Sequence, residues 1–111
     1  MQQFYLALDL KNNEESIASY EKFHKEVWPE VLDSIADAGI YKMEIFRVSN
    51  RLFMIIEATD DFSFEKKSTL DRDKTTVQKW EALMWQFQQA IPGAASEEKW
   101  LLMKKIFEFN K

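Results

Sequence analysis

Apolar and polar side chains alternate at the start of the chain. Every second residue from position 4 to position 10 is Phe or Leu, and a polar cluster follows at residues 11–13. Because successive side chains of a β-strand point to opposite faces of a sheet, this pattern predicts a first strand. Two further strand-like runs, residues 40–48 and 51–58, are separated by only two residues, which predicts an antiparallel hairpin.

Helical spacing of apolar residues follows the first strand. Asn13 precedes two glutamates, which is typical of a helix start, and the pattern predicts one helix from there to about Ala38. Gly39 is expected to end that helix. Pro29 lies within it, where a proline removes a backbone hydrogen bond and costs on the order of 3 kcal/mol. We therefore expect either a helix boundary or a kink at Pro29.

The second half of the chain repeats these signals. A short helix is expected around residues 63–69, a longer one over 76–90, and a last strand over 100–109. Residues 65–67, Glu-Lys-Lys, are interpreted as a solvated face. The order βαββαβ predicts an α+β, ferredoxin-like fold: a single antiparallel sheet with both main helices on one face. The other face needs a cover, and a second copy of the chain is the simplest one, so we expect a homodimer.

Composition narrows the classes of function. With 111 residues, 46% hydrophobic and 31% charged, the chain is expected to form a single globular domain over residues 1–111. A net charge of −4 makes nucleic acid an unexpected partner. We also expect no membrane partner and a cytoplasmic location, because there is no basic leader and no apolar run of membrane-spanning length.

The residue types present also limit the chemistry. The absence of cysteine removes thiolate nucleophiles and thiolate metal sites. One histidine and scattered carboxylates give no metal-ligand spacing, so no metal site is expected. Two glycines are too few for a phosphate-binding loop, which argues against ATP and NAD. We expect no cofactor.

One histidine remains as a proton carrier for neutral pH. His24 lies four residues after Tyr20 and four before Trp28, so on a continuous helix the three would share a face. A satisfied core histidine is the more common interpretation of such spacing, whereas the neighbouring Pro29 favours a site. Trp80 and Trp85 cannot both face the core. Core packing or a dimer interface explains a large exposed indole more often than a ligand does, but a flat aromatic side chain also suits the apolar face of a sugar.

Residues 20–30, which read Tyr-x-x-x-His-x-x-Val-Trp-Pro-Glu, resemble the signature of the L-rhamnose mutarotase family. The likeness extends over nearly the whole chain. It implies a dimeric α/β-barrel type of ferredoxin-like protein and an isomerase that works without a cofactor. Such an aldose 1-epimerase interconverts the α and β anomers of a 6-deoxy-L-hexose such as L-rhamnose or L-fucose.

The resemblance also assigns roles to single residues. It makes His24 the catalytic general acid/base, Tyr20 a ligand of the sugar and Trp80 an aromatic residue of the site. Trp28 belongs to the same signature and is taken as a further substrate-binding residue.

The chain departs from the family pattern at two substrate positions. Met43 stands where a tyrosine is common, and Glu81 replaces a second consecutive tryptophan. The resemblance therefore leaves open which sugar is preferred.

Two alternatives stay open at this point. One is a cofactor-free monooxygenase of the related dimeric ferredoxin-like type, which would consume oxygen with an aromatic substrate. The other is a non-catalytic dimeric interaction or stress domain, whose aromatic residues would serve only an interface and whose site would be filled.

Overall fold

The computed structural model describes residues 1–95 and 99–111, which form one five-stranded antiparallel sheet and four helices. The strands are β1 Gln2–Leu10, β2 Ile40–Val48, β3 Arg51–Ala58, β4 Gln88–Gln89 and β5 Leu101–Leu102. The helices are α1 Glu14–Phe23, α2 Pro29–Asp37, α3 Phe64–Asp71 and α4 Thr75–Trp85. This is the α+β, ferredoxin-like fold that the element order predicts. In the described part of the chain, no helix is both long enough and apolar enough to span a membrane.

Strand β1 lies in the middle of the sheet. Strand β3 pairs with it over its whole length, from Gln2 opposite Ala58 to Asp9 opposite Arg51, and β2 lies outside β3. The other edge of β1 is shared by β4, opposite residues 9–10, and β5, opposite residues 6–7. The predicted antiparallel hairpin of β2 and β3 is confirmed, with Ser49 at its turn in the left-handed region (φ 53°).

The helices pack on one face of this sheet. That face presents every second residue of β1 and β3, and these side chains are buried: Leu6, Leu8, Leu10, Leu52, Met54, Ile56 and Ala58. Near the β4 edge they meet Tyr20, Val31, Trp80 and Met84 from the helices. Burial of alternate residues on the helix face confirms the period-two pattern that predicted β1 and β3.

The opposite face of the sheet carries a row of accessible aromatic side chains. Tyr5 stacks on Phe53 with ring centroids 6.1 Å apart, and Phe46 lies 6.3 Å from Phe53 on the other side. Phe46 is 50% exposed. At the end of this face, the guanidinium of Arg51 donates two hydrogen bonds to the buried carboxylate of Asp9.

The single helix predicted between residues 14 and 38 is wrong. Helix α1 ends at Phe23, and Pro29 is the first residue of α2. A proline at the first helical position has no intrahelical bond to lose, and it pushes the residue before it into extended backbone. Trp28 accordingly has φ −60° and ψ 135°. Of the two expectations for Pro29, the helix boundary is confirmed.

Gly39 ends α2 as predicted. Its φ of 97° lies in the left-handed region, and a Cβ atom added there would come within 2.6 Å of the Thr59 hydroxyl oxygen. Both the backbone conformation and the close approach of Thr59 therefore require glycine.

Two predicted elements at the end of the chain are too long. The helix expected over residues 76–90 ends at Trp85, because residues 88–89 pair with β1 instead. The strand expected over 100–109 is confined to β5, although the Met103 amide still donates to the Tyr5 carbonyl at 2.8 Å. The apolar pattern beyond it has no partner strand among the described residues, and a strand needs one to satisfy its backbone groups.

Candidate functional site

A cavity of about 1100 Å³ lies between the helices and the apolar face of the sheet. Its volume slightly exceeds the usual range for small-molecule sites, about 300–1,000 Å³, so it can hold a sugar. Five of the six predicted site residues line it: Tyr20, His24, Met43, Trp80 and Glu81. Leu102 lines it too and is 61% exposed, so the cavity opens to solvent beside β5.

His24 caps the C-terminal end of α1 and is half-buried beside the cavity. Its Nδ1 atom lies 2.8 Å from the carbonyl oxygen of Tyr20. A carbonyl oxygen can only accept a hydrogen bond, so Nδ1 carries the hydrogen of the neutral ring and Nε2 carries the basic lone pair. The backbone of α1 thereby fixes which nitrogen can take a proton.

The surroundings of His24 favour its neutral form. Burial lowers the pKa of the imidazole below its usual 6.5, and the hydrogen bond to the Tyr20 carbonyl opposes part of that shift. The ring is therefore uncharged and able to act as a base at neutral pH.

The ring of Tyr20 lies beside this base. Tyr20 is only 4% exposed, its ring centroid is 4.3 Å from that of His24, and its hydroxyl oxygen accepts a hydrogen bond from Gln88 Nε2 at 3.3 Å. Burial raises the pKa of Tyr20 to about 12; the Gln88 bond lowers it, and the Glu81 carboxylate raises it further. The hydroxyl therefore keeps its proton at neutral pH.

Trp80 forms a buried aromatic wall. Its ring meets that of His24 at a centroid distance of 5.5 Å, edge to face. Trp28 packs against the other side of Trp80 at 5.1 Å, also edge to face, and does not line the cavity. Because the chain leaves the helix after Phe23, Trp28 is not the next member of a helical stripe with Tyr20 and His24. Trp28 contacts the ring of Trp80 and lies outside the cavity.

The two departures from the family pattern occupy different parts of the cavity. Met43 lies on β2 opposite Ile56, on the helix-covered face of the sheet. Glu81 follows Trp80 on α4 at a more exposed position, where its carboxylate is 3.7 Å from Lys99 Nζ. The same ammonium lies 5.4 Å from the centre of the Trp85 ring. Trp85 is thus the tryptophan of α4 that faces outward, as the five-residue spacing predicted.

Sequence reasoning missed two sets of cavity residues. Gln88 was placed in a helix, and its contact with Tyr20 joins residues 68 positions apart. Ser34, Lys67 and Asp71 form a polar cluster on the cavity wall, although Lys67 was interpreted as part of a solvated face. The four-residue spacing of Lys67 and Asp71 is a helical ion-pair signal and could have indicated the second set.

Metal chemistry finds no support in the described ranges 1–95 and 99–111, which hold no group of three potential metal ligands among His, Cys, Asp and Glu. The described cavity therefore offers an imidazole, a phenol, amides and carboxylates. Such groups transfer protons and bind hydroxyls.

Residues 3–109 match the family model of L-rhamnose mutarotase. The chain belongs to the L-rhamnose mutarotase family. A relative from Xanthomonas campestris pv. campestris, named L-fucose mutarotase, is 42% identical, and the alignment covers 100% of this chain and 90% of the relative. Named members of the mutarotase family are isomerases acting on sugar anomers, and the prediction of an isomerase of this class is confirmed.

Two solved structures share the fold of this mutarotase family member. The L-rhamnose mutarotase of Formosa agariphila superposes with a TM-score of 0.70 at 19% identity, covering 99% of this chain and 100% of the other. A dimeric ferredoxin-like protein from an uncultured marine organism gives a TM-score of 0.54 at 17% identity, with 97% and 91% covered. At these identities the likeness establishes the ferredoxin-like fold.

Proposed function

We propose that this chain is a cofactor-independent mutarotase, or aldose 1-epimerase, that interconverts the α and β anomers of a 6-deoxy-L-hexose. L-Rhamnose and L-fucose are the sugars named for the family and for the Xanthomonas relative. The observation that carries the proposal is the neutral His24, whose basic nitrogen is set by its bond to the Tyr20 carbonyl beside a cavity of suitable size.

The reaction needs two proton transfers and one bond to break. His24 Nε2 takes the proton of the anomeric hydroxyl while the ring oxygen receives a proton, and the bond between the anomeric carbon and the ring oxygen breaks. The resulting aldehyde rotates about the adjacent carbon–carbon bond. The same steps in reverse then close the ring with the opposite anomeric configuration, so the proton count is unchanged.

Tyr20 or a bound water supplies the second proton. The pKa of the Tyr20 hydroxyl, about 12, keeps it protonated, and the bond from Gln88 leaves its hydrogen free to donate. A positioned acid/base contributes about 10²–10⁴ in rate, or roughly 3–5 kcal/mol. That is sufficient for a reaction that water already carries out slowly.

The aromatic wall suits such a substrate. An indole face packs well against the C–H groups of a sugar, and the methyl group of a 6-deoxy sugar adds apolar surface. Trp28 and Phe23 pack edge to face against Trp80, which favours a wall already in place before a sugar binds. Met43 and Glu81 then line the substrate-binding site on β2 and α4.

A homodimer is part of the same proposal. Tyr5, Phe46 and Phe53 form an accessible aromatic row on the helix-free face, and a self-complementary contact would cover it. The ferredoxin-like neighbour from the marine organism is described as dimeric. We propose no nucleic-acid, membrane or cofactor partner. A single domain over residues 1–111 and a cytoplasmic location stay predictions from the sequence.

The two alternatives lack comparable support. A non-catalytic interaction domain predicts a filled site, whereas the structure has a large open cavity beside His24. An oxygenase would have to show oxygen uptake with a quinone precursor.

The test is saturation-transfer NMR on L-rhamnose and L-fucose, in which one anomer signal is saturated and the loss at the other is measured. We expect exchange well above the buffer rate for at least one sugar, with no oxygen uptake. Exchange at the buffer rate for both sugars would overturn the proposal.

A further inference from the structure

A charged cluster lies on the cavity wall away from His24. Asp71, at the end of α3, is only 8% exposed. Its carboxylate accepts hydrogen bonds from the Ser34 hydroxyl and from Lys67 Nζ, and Lys74 Nζ lies 3.8 Å from it. Ser34, Lys67 and Asp71 all line the same cavity as Tyr20 and His24. We call these three residues the distal cluster.

Helices α2 and α4 connect the distal cluster to the residues around Trp80. Ser34 follows Val31 by three residues on α2, and Val31 packs in the group that contains Tyr20 and Trp80. One turn of helix rises about 5.4 Å. On α4, Gln78 donates a hydrogen bond to the Asp71 carbonyl at 2.9 Å, and Trp80 is two residues further along. Ser34 therefore lies about one helical turn from a residue that packs in the same group as Trp80, and that spacing is comparable with the width of a pyranose ring.

Stability alone gives little reason for this cluster. A buried ion pair loses its hydration, and well-packed apolar residues of similar size often stabilise a protein as well or better. Its hydrogen-bonding capacity is also incompletely used: an ammonium has three donors, and a carboxylate has about four acceptor positions. Within the described residues, Asp71 is the acceptor that Lys67 meets. Donors and acceptors therefore remain for a ligand in the cavity.

We propose that the distal cluster binds the hydroxyls on C3 and C4 of the sugar, across the ring from the anomeric hydroxyl whose proton His24 takes. Each hydroxyl would donate to Asp71 and accept from Lys67, while Ser34 holds the carboxylate in place. L-Rhamnose and L-fucose share their configuration at C3 and differ at C2 and C4. Asp71 and Lys67 are then residues that choose between such sugars. This inference rests on the proposed mutarotase function.

The test pairs variants with sugars that lack one hydroxyl. KM and kcat for anomer exchange are measured for L-fucose and for its 2-deoxy, 3-deoxy and 4-deoxy analogues, with wild type, Asp71→Asn and Lys67→Met. Asp73→Asn and Lys66→Met are matched controls on exposed neighbouring positions. Sugar affinity is also measured from tryptophan fluorescence, which does not depend on catalysis.

We expect Asp71→Asn to raise KM for L-fucose about 10- to 100-fold with little change in kcat, because a hydrogen bond to a charged group is lost. The 3-deoxy and the 4-deoxy sugars should both bind wild type more weakly than L-fucose does, and Asp71→Asn should weaken their binding less than it weakens the binding of L-fucose. For the 2-deoxy sugar, Asp71→Asn should reduce the affinity by the same factor as it does for L-fucose. The two control variants should behave as wild type.

Equal losses for all four sugars, or an unchanged KM with a lower melting temperature, would show that the cluster only holds α3 in place. If Asp71→Asn does not fold, the same comparison is made with Ser34→Ala. An equal loss of affinity for all four sugars in that variant would again overturn the proposal. If wild type binds the sugars with the expected hydroxyl dependence but does not speed their exchange, the mutarotase function fails and the binding site stands.

Discussion

His24 Nδ1 and the carbonyl oxygen of Tyr20 lie 2.8 Å apart, four residues from each other along the chain. Tyr20 therefore has two parts in the site. Its backbone sets the tautomer of the base, and its ring packs beside that base while its protonated hydroxyl accepts a hydrogen bond from Gln88. Any change that unwinds the end of α1 would disturb both groups together.

Replacing His24 with Gln should abolish catalysis and spare the fold. Glutamine keeps hydrogen-bonding capacity but cannot exchange a proton near pH 7, so the rate should fall by about 10²–10⁴. Saturation-transfer NMR beside a thermal melt measures both properties, with Lys25→Gln as the control at the exposed neighbour. A variant that melts normally and exchanges sugar as fast as wild type would refute the role of His24.

The activity should persist below pH 6.5. Burial lowers the pKa of His24, so the basic form survives to a lower pH than a free histidine allows, and exchange should fall only as the pH drops through that lowered value. His24 is the one histidine in the sequence, so its ring protons give a single NMR titration to compare with the pH profile of kcat/KM. A titration at or above 6.5 would contradict the burial argument.

The same shift links His24 to stability. Below pH 6.5 the unfolded chain takes up a proton before the folded one does, so the free energy of unfolding should decline as the pH falls from 6.5 through the folded pKa. The His24→Gln variant should lack this part of the decline. Denaturant melts of both proteins between pH 7 and pH 5 would measure the difference.

One of the three tyrosines should ionise late. Burial raises the pKa of Tyr20 to about 12 from the usual 10.0, so its contribution to stability is fully present below pH 10 and is lost as the pH rises towards 12. An absorbance titration of tyrosinate should show the late step in wild type and in Tyr41→Phe, and not in Tyr20→Phe. A late step that survives in Tyr20→Phe would assign it to another residue.

Replacing Met43 with Tyr should alter sugar preference more than stability. The residue lies on a cavity wall, where an added hydroxyl gains or loses a hydrogen bond with one sugar and not with another. The ratio of kcat/KM for L-rhamnose and L-fucose is the measurement, and Met43→Leu, which conserves volume, is the control. An unchanged ranking of the two sugars would refute this assignment.

A charge on the aromatic row should separate the proposed dimer. Phe46→Lys places an ammonium on the exposed face of the sheet, where burial against a partner copy would be costly. Sedimentation at micromolar concentration should give a dimer for wild type and a monomer for the variant. Leu70→Lys, at a similarly exposed apolar residue on α3, should remain dimeric. A wild-type monomer would contradict the proposed assembly.

The sequence predicted β2 and β3 with their observed bounds because alternation reports directly on a sheet with one buried face. The break between α1 and α2 was not resolved, since Val27 and Val31 continue the helical spacing while the chain is no longer helical. The spacing of apolar residues shows which residues can share a face. It does not show whether the backbone between them keeps its helical hydrogen bonds.

Some residues of the site could be predicted from the sequence and others could not. His24, Tyr20 and Trp80 could be named from a signature and from helical spacing. Gln88 and Ser34 could not, because their contacts with Tyr20 and Asp71 join residues 68 and 37 positions apart, whereas the Lys67–Asp71 pair has a helical spacing. Such contacts depend on how helices are laid across the sheet, which a single sequence does not encode locally.

Because β1 lies in the middle of the sheet, its two edges become paired at different times during synthesis. β1 leaves the ribosome before the other elements, yet one of its edges is closed only by residues 88–89 and 101–102. At ordinary translation rates that leaves a central strand with an unpaired edge for roughly 5–20 s. An unpaired apolar edge is a template for other nascent chains. Translation that stalls or terminates before residue 88 therefore produces a fragment that lacks both its closing strands and the Gln88 contact to Tyr20, and it should aggregate rather than accumulate as a folded intermediate.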